Sequence, residues 1–295
     1  VTRFRLNLVN ALWGQQGFDY LAEFRDNLQQ NYNSGTRAVD FIDAPEPSRL
    51  VINNWIAEKT EDRIKNLIPK GVINSLTRLI LTNAIYFRGS WENPFRARDT
   101  TAGLFKRADG RQVEVPMMYQ NARVLYSRSP TYQAVELPYV GDEILMLVVM
   151  PADSTLSSFE ASLGPGTLQQ VFRRFRDTEL DLTMPRFEVE SAFQLAETLE
   201  QMGMPNAFRS PEEAYGADFS GFNGRRDLFV GEVLHKAFVA VDEAGTEAAA
   251  ATGVSMQEQS MPDEGTMVVD RPFLFLILDR KTRTILFLGR VLDPS

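Results

Sequence analysis

Glu243-Ala244-Gly245-Thr246-Glu247-Ala248-Ala249-Ala250-Ala251-Thr252 joins a strand-like segment to a polar loop, and the last apolar strands of the chain follow. Four consecutive alanines favour a helix, whereas Gly245 is a hinge residue and Thr246 and Thr252 are β-branched. As a strand, the run puts Thr246, Ala248, Ala250 and Thr252 on one face and Glu247, Ala249 and Ala251 on the other. Such a strand buries only small groups on its first face and is narrow enough to slide between strands already packed. As a helix or linker it is an ordinary Ala-rich connection, and the local sequence allows both readings.

Upstream, Leu228 to Val241 reads as a strand. Downstream, Pro272 to Leu278 and Thr284 to Val291 form two apolar strands about a turn at Asp279 to Arg283. Toward the N-terminus, Arg3 to Trp13 begins with the alternation of a half-buried strand. Phe18 to Gln30 switches to helical spacing, and Arg37 to Phe41 is a short strand. A Pro-rich link then leads to a helix expected from Ser48, burying Ile52, Trp55, Ile56 and Ile64. Leu79 to Phe87 is a nearly continuous β-rich run, as in a central strand covered on both faces. Several strands follow from Val113 to Pro151, the strongest at Ile144 to Met150. Leu156 to Arg176 is helical and split at Gly164-Pro165-Gly166. Glu179 to Glu190 alternates as a strand, and Phe193 to Met202 is helical. Long strands with separated helices predict an α+β fold in one domain over residues 1–295.

The 295 residues, 44% of them hydrophobic, suffice for a large core. The chain has no cysteine, which excludes disulfides, thiolate metal sites and thiol chemistry. A net charge of -8 argues against nucleic acid as the main partner. The densest basic stretch, Arg173 to Arg176, is interrupted by Phe175 and reads as a solvated helix face. No run of about 18 apolar residues is present to cross a membrane as a helix. The chain starts at Val1 inside a strand, without Met or a signal-peptide pattern, so an N-terminal portion is expected outside this sequence.

Catalytic chemistry finds little footing. The single histidine, His235, lies in a strand-like stretch, with no Gly-x-Ser-x-Gly elbow to make it a triad base. For metal ligation the nearest candidate is Asp242-Glu243, whose side chains point to opposite faces of a strand, and no metal site is expected. Phosphate-cradling glycine motifs are absent, no cofactor is indicated, and the chain is not expected to be an enzyme.

Taken together, six segments resemble the serpin family: Leu8 to Trp13, Ile52 to Thr60, Leu81 to Trp91, His235 to Phe238, the run Glu243 to Thr252, and Arg271 to Phe275. They occur in the family's order, and the resemblance covers Arg3 to Pro294. It implies a large, mostly antiparallel central sheet with two smaller sheets, surrounding helices, and a mobile reactive loop over about residues 244–264. In inhibitory members a protease cuts this loop and forms an acyl-enzyme, and the loop then inserts into the main sheet before deacylation finishes. The likeness is to inhibitory, prokaryotic members. Relative to the family pattern, N-terminal helices and a strand are missing from this sequence, including a helix that packs under the main sheet.

Carried onto matching positions, the resemblance makes Glu243, Gly245, Thr246, Glu247, Ala248, Ala249, Ala250, Ala251 and Thr252 the hinge. It places Asn83 and His235 as a pair beneath the centre of the sheet, and Trp91, Arg186 and Glu243 where insertion starts, with an Arg186–Glu243 ion pair. Counting from Gly245 at the usual family length puts the cleaved bond between Gln259 and Ser260, with Met261 and Met256 as alternatives. Gln259 suits a subtilisin-, elastase- or chymotrypsin-like serine protease better than a trypsin-like one. The expected function is therefore a monomeric suicide-substrate inhibitor, with a non-inhibitory binding or chaperone-like serpin as the alternative. The resemblance favours a secreted protein and leaves a cytoplasmic one open.

Overall fold

The computed structural model describes residues 4–32, 36–152, 155–164, 166–246 and 263–295. In chain order the elements are β1 (Phe4–Gln15), α1 (Ala22–Tyr32), β2 (Thr36–Val39), α2 (Pro45–Lys59), β3 (Leu79–Ser90), β4 (Thr101–Lys106), β5 (Gln112–Arg128), β6 (Tyr132–Pro138) and β7 (Ile144–Pro151). There follow α3 (Leu156–Ser162), α4 (Thr167–Arg173), β8 (Arg176–Pro185), β9 (Phe187–Gln194), α5 (Ala196–Gln201) and α6 (Ser220–Asn223). The chain closes with β10 (Glu232–Asp242), β11 (Gly245–Thr246), β12 (Asp263–Val268), β13 (Phe273–Asp279) and β14 (Ile285–Val291). The fold is α+β, as expected.

Contacts divide the chain into two compact units. One comprises residues 6–86 and 190–238. In it β2 runs parallel to β1, and β3 runs parallel to β10 with Ile80 opposite Glu232 and Tyr86 opposite Phe238. One face of β3 is buried through Thr82, Ala84 and Tyr86, and the indole of Trp13 donates to Thr82 Oγ1 at 3.0 Å. Trp13 meets Trp55 of α2 edge-on at 5.3 Å, and the Arg37 guanidinium lies over Trp55. The other face of β3 is more open than the sequence suggested: Leu81 is 36% exposed and Asn83 half-buried.

Helix α2 starts three residues earlier than Ser48, because Pro45 serves as the first helical residue, where its missing N–H costs nothing. It ends at Lys59, after which Thr60 Oγ1 donates to the Ile56 carbonyl and accepts from the Ile64 N–H. Ile52, Ile56 and Ile64 are fully buried, Ile64 from the linker beyond the helix.

The other unit comprises residues 1–5, 87–189 and 239–295. Its strands form one continuous ladder in the order β12-β8-β5-β6-β7-β13-β14, with β4 also paired to β5. The long β5 is what joins its parts, since it pairs with β4, β8 and β6 along its length. β7 is buried at every position, and α3 and α4 cover it through Leu156, Phe159 and Val171. The run Glu179 to Glu190, read as one strand, is two strands separated at Arg186. β12 was not anticipated: its Met267 and the following Val269 are buried, but its first residues are acidic and fall within the loop range 244–264.

Candidate functional site

β10 ends at Asp242 and the chain reverses there. Asp242 Oδ1 accepts from the backbone N–H of Ala244 at 2.8 Å and of Gly245 at 3.2 Å, the turn that a short acceptor side chain favours. The returning chain enters as β11 between the ends of β3 and β10, antiparallel to both. Gly245 lies opposite Ser90 and Asp242, and Thr246 opposite Gly89 and Val241. Gly245 has φ +148, and a Cβ there would stand 2.1 Å from the Gly89 carbonyl oxygen, so the position requires glycine. Of the hinge run, Gly245 and Thr246 are in strand.

Thr246 is wholly buried, and its hydroxyl lies 2.7 Å from the Tyr139 hydroxyl. Burial pushes the Tyr139 hydroxyl far above its ordinary range, the bond to Thr246 opposing only weakly, so it stays neutral. Trp91 stacks on Tyr139 at 4.5 Å, and Phe87 meets it edge-on at 4.9 Å. The Trp91 indole N–H donates to the Asp242 carbonyl and its backbone N–H to the Ala244 carbonyl, each at 3.0 Å. An aromatic floor therefore receives the first buried hinge side chain.

Beside it, Arg186 donates to Glu243 Oε1 through Nε at 2.8 Å and Nη2 at 2.5 Å, and the Thr100 hydroxyl donates to the same oxygen. Arg186 is fixed by its own N–H, which donates to the Pro116 carbonyl at 3.0 Å. Burial works to raise the Glu243 carboxyl, but the bonds from Arg186 and Thr100 outweigh it and hold the group below its usual range. A depressed carboxyl contributes stability that is complete above its unfolded value, about 4.3, and is lost as pH falls through the lower folded value. Glu243→Gln is expected to lower the melting temperature at pH 7 by about 2 to 4 °C, the scale of about 1 kcal/mol for a half-exposed pair. The gap between variant and parent should close below about pH 4; thermal melts between pH 3 and 7 measure both.

In the other unit, His235 Nδ1 bears its proton toward Asn83 Oδ1 at 2.5 Å, and Asn83 Nδ2 donates to Asn10 Oδ1. This side-chain chain crosses β10, β3 and β1. Burial lowers the His235 pKa, so the ring is neutral at physiological pH, with Phe193 stacked on it at 6.0 Å.

The structure thus joins Asn83 with His235, Arg186 with Glu243, and sets Trp91 against the hinge. Sequence reasoning missed Tyr139, Thr100 and Asn10. Asn10 had a signal, an amide flanked by Val9 and Ala11 within the strand; Tyr139 and Thr100 had none. Asp242 and Glu243, the nearest metal candidates, are engaged in the turn and the ion pair. Among the described residues no group of three potential metal ligands occurs, and no helix is long and apolar enough to cross a membrane. Glu247 to Thr252, Met256, Gln259, Ser260 and Met261 lie outside the described residues.

The serpin (serine protease inhibitor) family model matches residues 2–294. The chain belongs to the serpin family. It is 40% identical to mouse antithrombin-III over 97% of this chain, and spans 62% of that protein's length. Bovine leukocyte elastase inhibitor is 37% identical over 99% of this chain and 78% of its own. A serpin-like protein of Thermococcus kodakarensis is likewise 37% identical over 99% of the chain. Among solved structures, thyroxine-binding globulin in complex with thyroxine superposes with TM-score 0.87 at 28% identity, covering 100% of this serpin and 77% of that chain. Uncleaved ovalbumin does so with TM-score 0.87 at 26% identity, covering 100% and 75%.

Proposed function

We propose that this serpin is a single-use inhibitor of serine proteases that traps its target by inserting its own cleaved loop between β3 and β10. The observation that carries the reading is β11, the first two residues of an inserted strand already seated between them. The residues that would follow on the same face of the strand as Thr246, namely Ala248, Ala250 and Thr252, are small enough to continue it.

In this reading the protease serine attacks the Gln259 carbonyl, the Ser260 amine departs, and an acyl-enzyme forms on Gln259. Released from its C-terminal tether, the segment feeds into the sheet from Thr246 onward. About 15 residues at about 3.3 Å each carry the attached protease roughly 50 Å. The hinge residues each have a part: Gly245 permits the close approach to Gly89, Thr246 anchors on Tyr139, and the Arg186–Glu243 pair holds the turn. Asn83 and His235 tie β3 to β10 along the path the strand must open.

Incubation with subtilisin-, elastase- and chymotrypsin-like proteases tests this. A covalent complex that survives denaturing electrophoresis is expected with at least one of them. Clean loop cleavage without complex by all three would instead assign the chain a non-inhibitory binding role.

A further inference from the structure

A cavity of about 220 Å³ opens at the N-terminal ends of β3 and β10, within the unit of residues 6–86 and 190–238. Leu79, Ile80 and Leu228 are its buried apolar wall, and Leu76 and Phe229, 82% and 44% exposed, line its outer part. Gly231 lines it too, and a Cβ built there meets nothing within 4 Å, so the space next to Glu232 is open. Pockets that take drug-sized ligands enclose about 300 to 1,000 Å³, so a ligand of this cavity is smaller.

The polar groups of the wall are Asn74, Thr77, Arg78, Asp227 and Glu232, and most are already engaged. Thr77 Oγ1 accepts from the Asn74 N–H at 3.1 Å and Asn74 Oδ1 from the Leu76 N–H at 2.9 Å, which fixes the turn before β3. Asp227 accepts from Asn223 Nδ2 at 2.9 Å and faces Arg225 at 3.5 Å. Arg78 donates through Nη1 to the Ser75 and Thr77 carbonyls at 2.9 and 3.0 Å. Those bonds anchor its guanidinium, while its Nε and Nη2 have no partner among the described residues. The half-buried side chain of Glu232 makes neither a hydrogen bond nor an ion pair among the described residues.

Glu232 lies opposite Ile80, one diagonal step from Arg78, a spacing at which two long side chains reach each other. They do not pair. A guanidinium pinned by backbone carbonyls and a half-buried carboxylate thus share one small cavity with both charges uncompensated. Withdrawing a carboxylate from water without a counter-charge is costly. A ligand that carries both charges removes that cost and engages the guanidinium as well.

We propose that this cavity binds a small zwitterion, a free α-amino acid with an apolar side chain. Its ammonium donates to Glu232, its carboxylate accepts from Nε and Nη2 of Arg78 in the two-pronged geometry a guanidinium favours, and its side chain covers Leu76 and Phe229. A purely cationic ligand is opposed by Arg78 and a purely anionic one by Glu232, so the two charges together set the specificity. The site needs no cleavage of the loop and stands whether or not a protease is trapped.

Calorimetric titration of the intact protein with L-leucine, N-acetyl-L-leucine, L-leucine amide and glycine tests the assignment. Leucine is expected to bind, and each capped derivative to bind about tenfold more weakly or worse, as the loss of one charge-assisted contact implies. Glycine should also bind more weakly, for want of apolar contact. In Glu232→Gln the penalty for N-acetylation should vanish while the penalty for amidation stays, and in Arg78→Gln the reverse. A variant that only loosened the fold would weaken all four probes together without exchanging those preferences. Absence of leucine binding at about 10 mM, where two charge-assisted contacts would occupy the site, overturns the proposal. So does a capped derivative that binds as well as leucine, or a failure of the two variants to exchange the penalties.

Discussion

In the proposed mechanism, Thr246→Arg is expected to turn an inhibitor into a substrate, lowering the ratio of trapped to released protease by about a hundredfold. Thr246 is the first inward-facing residue of the path, fully buried and bonded to Tyr139. The walls there are Tyr139, Phe87 and the glycine of position 89, whose own Cβ would already stand 2.9 Å from Tyr139. An arginine seated in that space would bury an unpaired charge at a cost of several kcal/mol. The uncleaved protein avoids the cost by leaving β11 out of the sheet, which gives up only two paired residues. The cleaved protein cannot avoid it, because every later residue must follow Thr246 inward.

Trapping is a race between insertion and deacylation, and about 3 kcal/mol on the first step slows insertion by about a hundredfold. Deacylation then wins and the protease is released active. Thr246→Val is the control: it keeps the shape, loses one hydrogen bond worth about 1 kcal/mol, and should retain most of the complex. Titration of protease with each variant, read on a denaturing gel and by residual activity, measures the ratio. Parent-like trapping by Thr246→Arg would sink the insertion mechanism.

The elements that could be read from the sequence are those whose pattern is local. β7 and β13 are unbroken apolar runs buried throughout, and β1 announces itself by alternation. The Arg186–Glu243 pair and the Asn83–His235 pair were legible only through the family resemblance, since no spacing rule links residues so far apart in the chain. What the sequence hid is tertiary. Nothing around Tyr139, which follows Pro138 at the end of β6, points to the hinge, yet its hydroxyl meets Thr246 at 2.7 Å. Glu179 to Glu190 alternates, but its apolar positions slip by one, from Leu180, Leu182 and Met184 to Phe187 and Val189, at Pro185, which ends β8, and Arg186, which turns its side chain to Glu243, so two strands share the run. β12 was concealed because three of its residues, Asp263, Glu264 and Gly265, have turn-like chemistry; its pairing with β8 overrides that local preference.

Cutting the loop between Val254 and Met261 is expected to raise the melting temperature by about 20 °C. In the uncut protein β3 and β10 bond directly to each other over Ile80 to Tyr86 and Glu232 to Phe238. An inserted strand removes that one ladder and creates two, one on each of its edges, so the net gain is a single ladder of roughly ten bonds. At about 1 kcal/mol each these contribute on the order of 10 kcal/mol, comparable with the whole stability of an ordinary domain. For a chain of this length about 1 kcal/mol moves the midpoint by about 2 °C, which gives the figure above. Ordinarily a backbone nick loosens a protein, since it frees chain ends and adds entropy to the unfolded state, so the sign of the change is diagnostic. A metalloprotease, which forms no acyl-enzyme and is therefore not trapped, makes the nick cleanly; calorimetry of intact and nicked protein reads the result. The same nick in Thr246→Arg should give only a small part of the gain, because its strand stalls at the first residue. An equal or lower midpoint for the nicked parent would mean that the seated Gly245-Thr246 pair is a static end of the sheet and that no spring lies behind it.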